Sequence, residues 1–322
     1  MQATSQRPKI LLTRRWPEAV ETRLAASYDV TLNAADTPLT EAELAEAMRT
    51  HDALCPTVTD RVTRAVLTVP DRRGRIVGNY GAGFEHIDIA AAREAGVVVT
   101  NTPDALTEAT ADIAMTLLLM ASRRAGEGER ELRAGHWTGW RPTHLVGQSL
   151  SGKLLGLVGF GRIARATAKR AEAFGMRIAY HSRRPAPDMP ADAYFADLGE
   201  LAQRADMLSL HAPGGAETRH MVDAALLARM PAHAVLVNTG RGTLIDEAAL
   251  AEALAERRIA AAGLDVYEAE PRVHPALVDL PNVVLLPHLG SATIEARTAM
   301  GMKVADNLGR FFAGEPLLDL VG

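Results

Sequence analysis

Near its carboxyl end the chain reads VVLLPHLGSA over residues 283 to 292, an apolar run that opens into Pro287, His288, Leu289 and Gly290. Two earlier stretches have the same form: VNTGRGTLIDE over 237 to 247 and GLDVYEAEP over 263 to 271. Each run ends with one ionisable side chain of interest, giving Arg241, Glu270 and His288 at three successive strand ends. An imidazole titrates near neutral pH, so it can give a proton in one direction of a reaction and take it back in the other. A carboxylate beside it favours the protonated ring. A guanidinium stays charged and holds an anion through paired hydrogen bonds. Together the three suit proton transfer next to a bound anion. Taken singly, each has a structural reading as well: His288 as a hydrogen-bonded strand terminus, Arg241 as a loop cap, Glu270 as a surface acid before a proline.

A second constellation lies upstream. The strand-like KLLGLV runs into Gly159, Phe160, Gly161, Arg162, Ile163 and Ala164, and the helical ARATAKRAEAFG leads on to a further strand, MRIAY. A G-x-G-x-x-G/A between strand and helix is the fingerprint of a dinucleotide site. Gly159 permits the tight turn, Gly161 lets a pyrophosphate approach backbone N–H groups at the helix N-terminus, and Ala164 keeps helix and sheet close. An NAD site normally carries an acid at the end of the next strand for the ribose hydroxyls. Here that position reads Tyr180, His181, Ser182, Arg183, Arg184, and the next acid, Asp188, falls beyond Pro185. Ser182, Arg183 and Arg184 suit a 2'-phosphate, so NADP (as NADPH) is the preferred cofactor and NAD the alternative.

The rest of the chain has to position these groups. Its 322 residues exceed the usual single-domain size, so two domains are expected. Short apolar runs (KILLT, YDVTL, DALC, RIVGN, VVVTN) alternate with helical patterns through the first hundred residues. A helical stretch from Thr107 to about Leu132 and a Trp-containing loop follow, and then a second series: KLLGLVGFG, MRIAY, DMLSL, AVLVN, IAAAGLDV and NVVLL. SATIEARTAMGMKVADNLGRFFAG reads as a terminal helix. Apolar strands separated by helices indicate parallel sheets covered on both faces. The expected fold is therefore α/β: two Rossmann-like/flavodoxin-like doubly wound parallel-sheet domains with a cleft between them. One domain would be discontinuous, residues 1–100 and 288–322; the other, 101–287, would bind the dinucleotide. A net charge of −4 without long like-charge runs gives no footprint for nucleic acid. The N-terminal MQATSQRPKILL lacks the apolar core of a secretion signal, and no stretch is apolar for long enough to cross a bilayer. With Cys55 the sole cysteine, no internal disulfide forms, and a cytoplasmic location without membrane partners is expected. No metal-ligand spacing such as H-E-x-x-H occurs, so no metal is expected.

The ordered motifs GFGRIA, NTGRG, GLDVYEAEP and PHLGSAT resemble the D-isomer-specific 2-hydroxyacid dehydrogenases, and within them the glyoxylate/hydroxypyruvate reductases, over nearly the whole chain. The resemblance implies an enzyme that reduces small 2-oxo acids to 2-hydroxy acids by hydride transfer. It assigns the acid–base role to His288, its paired carboxylate to Glu270, and the grip on substrate carboxylate and carbonyl to Arg241. It places the substrate carboxylate against the backbone of Ala82 and Gly83, in GNYGAGFEHID, with Leu54 and Cys55 lining the pocket. The glycines of that stretch would free N–H groups into an anion-binding nest. Asp265 is implied to accept from the nicotinamide carboxamide, with Thr110 and the Thr239-Gly240 backbone bordering the ring. His211, Pro213, Thr218 and Gly290 complete the implied cofactor contacts, although His211-Ala212-Pro213-Gly214-Gly215 departs from the family's usual Leu-Thr after the proline. A homodimer built on an arm at 105–150, with Trp137 and Trp140, is implied as well. Phosphite dehydrogenases, other D-2-hydroxyacid dehydrogenases and a dinucleotide-sensing corepressor share these features; phosphite-dependent reduction of NADP, or protein binding without turnover, would separate them.

Overall fold

A computed structural model describes residues 7–321. The reading of the N-terminus as free of a secretion signal falls partly on residues 1–6, outside the described residues. The chain divides into two compact units, residues 1–106 with 292–322 and residues 107–291. The breaks fall at 106/107 and 291/292 rather than at 100/101 and 287/288. His288 thus belongs to the same unit as Arg241 and Glu270, because the chain leaves the second unit only after the PHLGS turn.

In the first unit five strands, β1 (Lys9–Leu12), β2 (Asp29–Leu32), β3 (Ala53–Cys55), β4 (Ile76–Gly78) and β5 (Val98–Thr100), form one sheet in the order β2-β1-β3-β4-β5. All neighbours are parallel. Alternate residues of a strand point to opposite faces. Leu11, Leu54, Val77 and Val99 fill one core, while Ile10, Leu12, Ala53, Cys55 and Ile76 fill the other. The helix Ile294–Ala313 returns to cover this second core with Val304, Ala305 and Leu308. It starts where the Thr293 hydroxyl accepts the Ala296 N–H and stops at Gly314, whose φ of 72° suits glycine.

The second unit holds β6 (Leu154–Val158), β7 (Arg177–His181), β8 (Met207–Leu210), β9 (Val235–Asn238), β10 (Ala261–Leu264) and β11 (Val283–Leu285), also all parallel. Their order is β11-β10-β9-β8-β6-β7, and an isolated parallel bridge from Tyr180 to Tyr194 extends the edge beyond β7. Chain direction across the sheet therefore reverses at β6 and β8, the switch point beyond whose carboxyl ends open α/β sheets bind their ligands. One face is covered by the helices Leu198–Arg204, Ala224–Arg229 and Glu247–Ala255. The other is covered by Thr107–Ser122 and Arg162–Ala173, with Leu155, Leu157, Val235 and Val237 in the layer between.

The single long helix expected from Thr107 to Leu132 is two helices, Thr107–Ser122 and Ala125–Arg133. Arg124 takes a left-handed conformation between them (φ 54°), with its guanidinium bound to Glu127 across the start of the second helix. Among the described residues no helix is long and apolar enough to cross a membrane.

Leu157 lies on the inner strand β6 and is fully buried. Leu157→Ala should lower stability by about 2–5 kcal/mol. Urea unfolding followed by circular dichroism checks this, and an unchanged midpoint would place that side chain outside the core.

Candidate active site

Three loops leave the carboxyl ends of the adjacent strands β9, β10 and β11 and carry Arg241, Glu270 and His288. After β9, Asn238 organises the turn: its side-chain amide donates to the Arg241 carbonyl (2.8 Å) and its carbonyl oxygen accepts from the Gly240 N–H (3.0 Å). The next loop packs backbone to backbone on this one. A Cβ on Gly242 would fall 1.8 Å from the Tyr267 carbonyl carbon, so only glycine fits. Arg241 Nη1 donates to the Gly240 carbonyl at 2.8 Å.

After β10 comes Asp265, 1% exposed. Its two carboxylate oxygens accept the Leu289 N–H (2.6 Å) and the Gly290 N–H (2.8 Å), and its carbonyl accepts the His288 N–H (2.9 Å). The carboxylate expected to face a nicotinamide is thus committed to the turn that carries the imidazole. Burial pushes this carboxyl above its usual range, against the opposing pull of the two amides and of His288. Thr110, expected at the cofactor ring, is likewise buried, and its hydroxyl donates to the Gly290 carbonyl at 3.0 Å. The Thr239 hydroxyl is buried without a hydrogen-bond partner beside the Gly240 turn.

His288 itself adopts φ 54°, which turns its ring toward the β10 loop, where Nδ1 lies 2.9 Å from Glu270 Oε2. An ionised carboxylate only accepts, so Nδ1 carries the proton and Nε2 is the nitrogen left for exchange with a ligand. The other Glu270 oxygen accepts the Tyr267 N–H at 3.0 Å. Burial pushes the Glu270 carboxyl up, but the hydrogen bond and charge of His288, the Tyr267 amide and the charge of Arg241 outweigh it and hold the group below the usual carboxylate range. Tyr267 fixes the loop in turn, its hydroxyl donating to the Leu286 carbonyl at 2.8 Å.

A cavity of about 1240 Å³ opens at the switch point. The fingerprint residues Gly159, Phe160 and Gly161 line one side, Ser182, Arg183 and Arg184 another, and His211, Pro213 and Thr218 a third. Gly159 has φ 82°, and a Cβ there would come within 2.8 Å of the Ala212 backbone. A Cβ on Gly161 would meet nothing within 4 Å, so backbone at the start of the helix Arg162–Ala173 is open to a ligand. Arg162 and Ile163 open that helix, and Ala164 is fully buried against the sheet. This cradle, with a helix N-terminus and no competing side chain, fits a dinucleotide pyrophosphate. Arg183 and Arg184 are exposed and make no ion pair among the described residues, while Ser182 donates to the Arg184 carbonyl at 2.6 Å. Asp188, the next acid along the chain, is taken up by Arg165 (Nη2 to Oδ1, 3.0 Å), a residue the sequence did not single out, while Glu217 lines the cavity from the 211–218 side. Arg165 also lies over the Phe160 ring at 4.6 Å, and Phe160 stacks on Tyr180 at 4.1 Å. Desolvation pushes the His211 imidazole down to about 4, keeping it neutral beside the Ser209 hydroxyl at 2.9 Å.

The first unit departs from two expectations. Leu54 and Cys55 are completely buried, because successive residues of the inner strand β3 point into its two cores; neither side chain can line a pocket, and burial pushes the Cys55 thiol up. The turn after β4 is not an alternating-handed nest, since neither Gly81 nor Gly83 has positive φ. Asn79 shapes it instead, donating to the carbonyls of Gly81 (3.0 Å) and Gly83 (2.8 Å), while Asn101 holds the Ala82 carbonyl at 2.7 Å. Carbonyls so engaged leave the Ala82 and Gly83 amides without backbone acceptors among the described residues.

Residues 115–290 match the family model described as the D-isomer specific 2-hydroxyacid dehydrogenase, NAD binding domain. A glyoxylate reductase from Thermococcus litoralis is 43% identical over 96% of this chain and 95% of its own. A glycerate dehydrogenase from Hyphomicrobium methylovorum is 40% identical over 95% and 96%. The crystal structure of an NADPH-dependent glyoxylate/hydroxypyruvate reductase from Sinorhizobium meliloti, in complex with NADP and malonate, superposes with a TM-score of 0.89 at 38% identity, covering 98% of this chain and 97% of that one.

The depressed Glu270 carboxyl has a consequence for stability. A folded-state value below the unfolded one stabilises the protein above about pH 4.3 and is lost as pH falls through the folded value. The melting temperature of Glu270→Gln should therefore fall less steeply than that of the unaltered chain between about pH 5 and pH 3; parallel slopes would contradict the contact with His288.

Proposed function

Because the chain belongs to the D-isomer specific 2-hydroxyacid dehydrogenase family, we propose that it is an NADPH-preferring reductase of small 2-oxo acids, glyoxylate and hydroxypyruvate foremost. The observation that carries this reading is the hydrogen bond from His288 Nδ1 to Glu270, set with Arg241 at the ends of three neighbouring strands. When bound, the reduced nicotinamide would supply the hydride to the carbonyl carbon. His288 gives the proton that the carbonyl oxygen needs as it becomes an alkoxide, from Nε2, and Glu270 orients the ring by accepting from Nδ1. Arg241 polarises the carbonyl and holds the carboxylate. In the first unit, taken by itself, the amides of Ala82 and Gly83 are donors of a kind suited to a carboxylate. Proton transfer of this kind contributes roughly 100- to 10,000-fold to rate.

Two further observations support the cofactor preference: exposed Arg183 and Arg184, which make no ion pair among the described residues, stand next to Ser182, and Asp188, the first acid along the chain after β7, is engaged by Arg165. The NADP held by the Sinorhizobium meliloti relative accords with it. The arm at 105–150 exposes Trp137 (52%) and Trp140 (81%), an apolar surface that a second copy of the chain would cover in a homodimer.

Oxidation of NADPH and of NADH by the purified chain, against glyoxylate, hydroxypyruvate, pyruvate and phenylpyruvate, tests the reading. Glyoxylate and hydroxypyruvate with NADPH should be fastest; turnover of phosphite with NADP, and of none of the oxo acids, would overturn it. Arg183→Ala should raise the KM for NADPH about tenfold, the equivalent of roughly 1.4 kcal/mol, and leave that for NADH nearly unchanged. Equal effects on both would remove the 2'-phosphate argument.

A further inference from the structure

Glu268 and Glu270 stand two residues apart in the same loop, yet only Glu270 turns to His288. Glu268 Oε1 faces the other way and accepts from Arg219 Nη2 at 2.5 Å and from His220 Nε2 at 2.8 Å. Arg219 and His220 directly follow Thr218, in the loop whose residues 211–218 wall the dinucleotide cavity. His220 is held in a left-handed conformation (φ 51°), with its N–H on the Thr243 carbonyl at 2.8 Å. The Glu268 N–H donates to Glu247 Oε1 at 2.8 Å, a carboxylate 5% exposed at the start of the helix Glu247–Ala255. The loop bearing Glu270 is thus fixed from below by Glu247 and from the side by the cavity wall.

We propose that Glu268 is a positioning residue that latches the wall of the dinucleotide cavity to the loop carrying Glu270, so that dinucleotide binding and the placement of the proton-transfer pair are linked. The linkage follows from the covalent path. Residues 213–218 can meet a ligand in the cavity only while Arg219 and His220 stay where they are, and these hold Glu268. Tyr267 and Glu270 flank Glu268, and their mutual hydrogen bond sets the carboxylate on His288. A ligand that orders the wall therefore orders Glu270, and reciprocally a loop that holds Glu270 well binds the ligand more tightly. The bland alternative is a surface ion pair of no consequence, since Arg219 is half exposed.

This inference rests on the reductase reading for its kinetic arm only. In the full chain, Glu268→Ala should weaken NADPH binding, followed by nucleotide fluorescence, at least about fivefold. The kcat for glyoxylate should fall by a similar factor, with the KM for glyoxylate changing less. Glu268→Gln keeps an acceptor oxygen for Arg219 and His220 and should retain most of both. Should Glu268→Ala not fold, Arg219→Ala removes one donor from outside and should weaken NADPH in the same direction. Unaltered NADPH binding and kcat in Glu268→Ala, or a loss of melting temperature alone, would overturn the latch; so would a Glu268→Gln variant as impaired as Glu268→Ala. Failure of the unaltered chain to turn over any oxo acid would instead count against the reductase reading, with the binding arm still deciding on the latch.

Discussion

The site depends on one buried carboxylate gripping a turn. A histidine at φ 54° occupies a sparsely populated region of backbone space, and such conformations persist only where the surroundings over-determine them. Here they do: Asp265 takes the N–H groups of His288, Leu289 and Gly290 with its carbonyl and its two carboxylate oxygens. A hydrogen bond to a carboxylate stabilises by roughly 1.5–3 kcal/mol, so the two from Leu289 and Gly290 are of the size needed to offset the backbone conformation. The carboxyl end of β10 is thereby tied to that of β11, and the imidazole has one direction to face. Without that grip the ring would have no defined partner.

Two acids five residues apart, Asp265 and Glu270, end with opposite characters because their surroundings differ. Asp265 is sealed from water and pushed up; Glu270 meets an imidazole, an amide and a guanidinium and is held down. The first holds the backbone of the turn after β11 and the second holds the imidazole. The same division runs through the dinucleotide cavity, where Asp188 is occupied by Arg165 while Arg183 and Arg184 stay uncommitted.

Much of this was legible in the sequence. Parallel strands buried on both faces read as apolar runs, so KILLT, DALC, KLLGLV, AVLVN and NVVLL announced strands that the structure contains. The spacing of Arg241, Glu270 and His288 after three such runs already suggested a common mouth. What could not be read depends on single backbone angles or on tertiary partners. The break at Arg124 turns on one left-handed residue, and the turn after β4 is shaped by Asn79 rather than by glycine handedness. Leu54 and Cys55 were misplaced because the pleat of an inner strand sends both into cores. In YEAEP the two glutamates look alike, and only folding sends one to His288 and the other to Arg219 and His220. Asn238 had a weak signal, as a polar residue closing an otherwise apolar strand; Arg165 had none.

The most direct measurement is the turnover of His288→Ala with NADPH and glyoxylate, alongside its affinity for NADPH. A proton donor that stands outside the dinucleotide cavity predicts a loss of about 100-fold or more in kcat with NADPH binding nearly unchanged. Turnover at the rate of the unaltered chain would show that the proton comes from elsewhere.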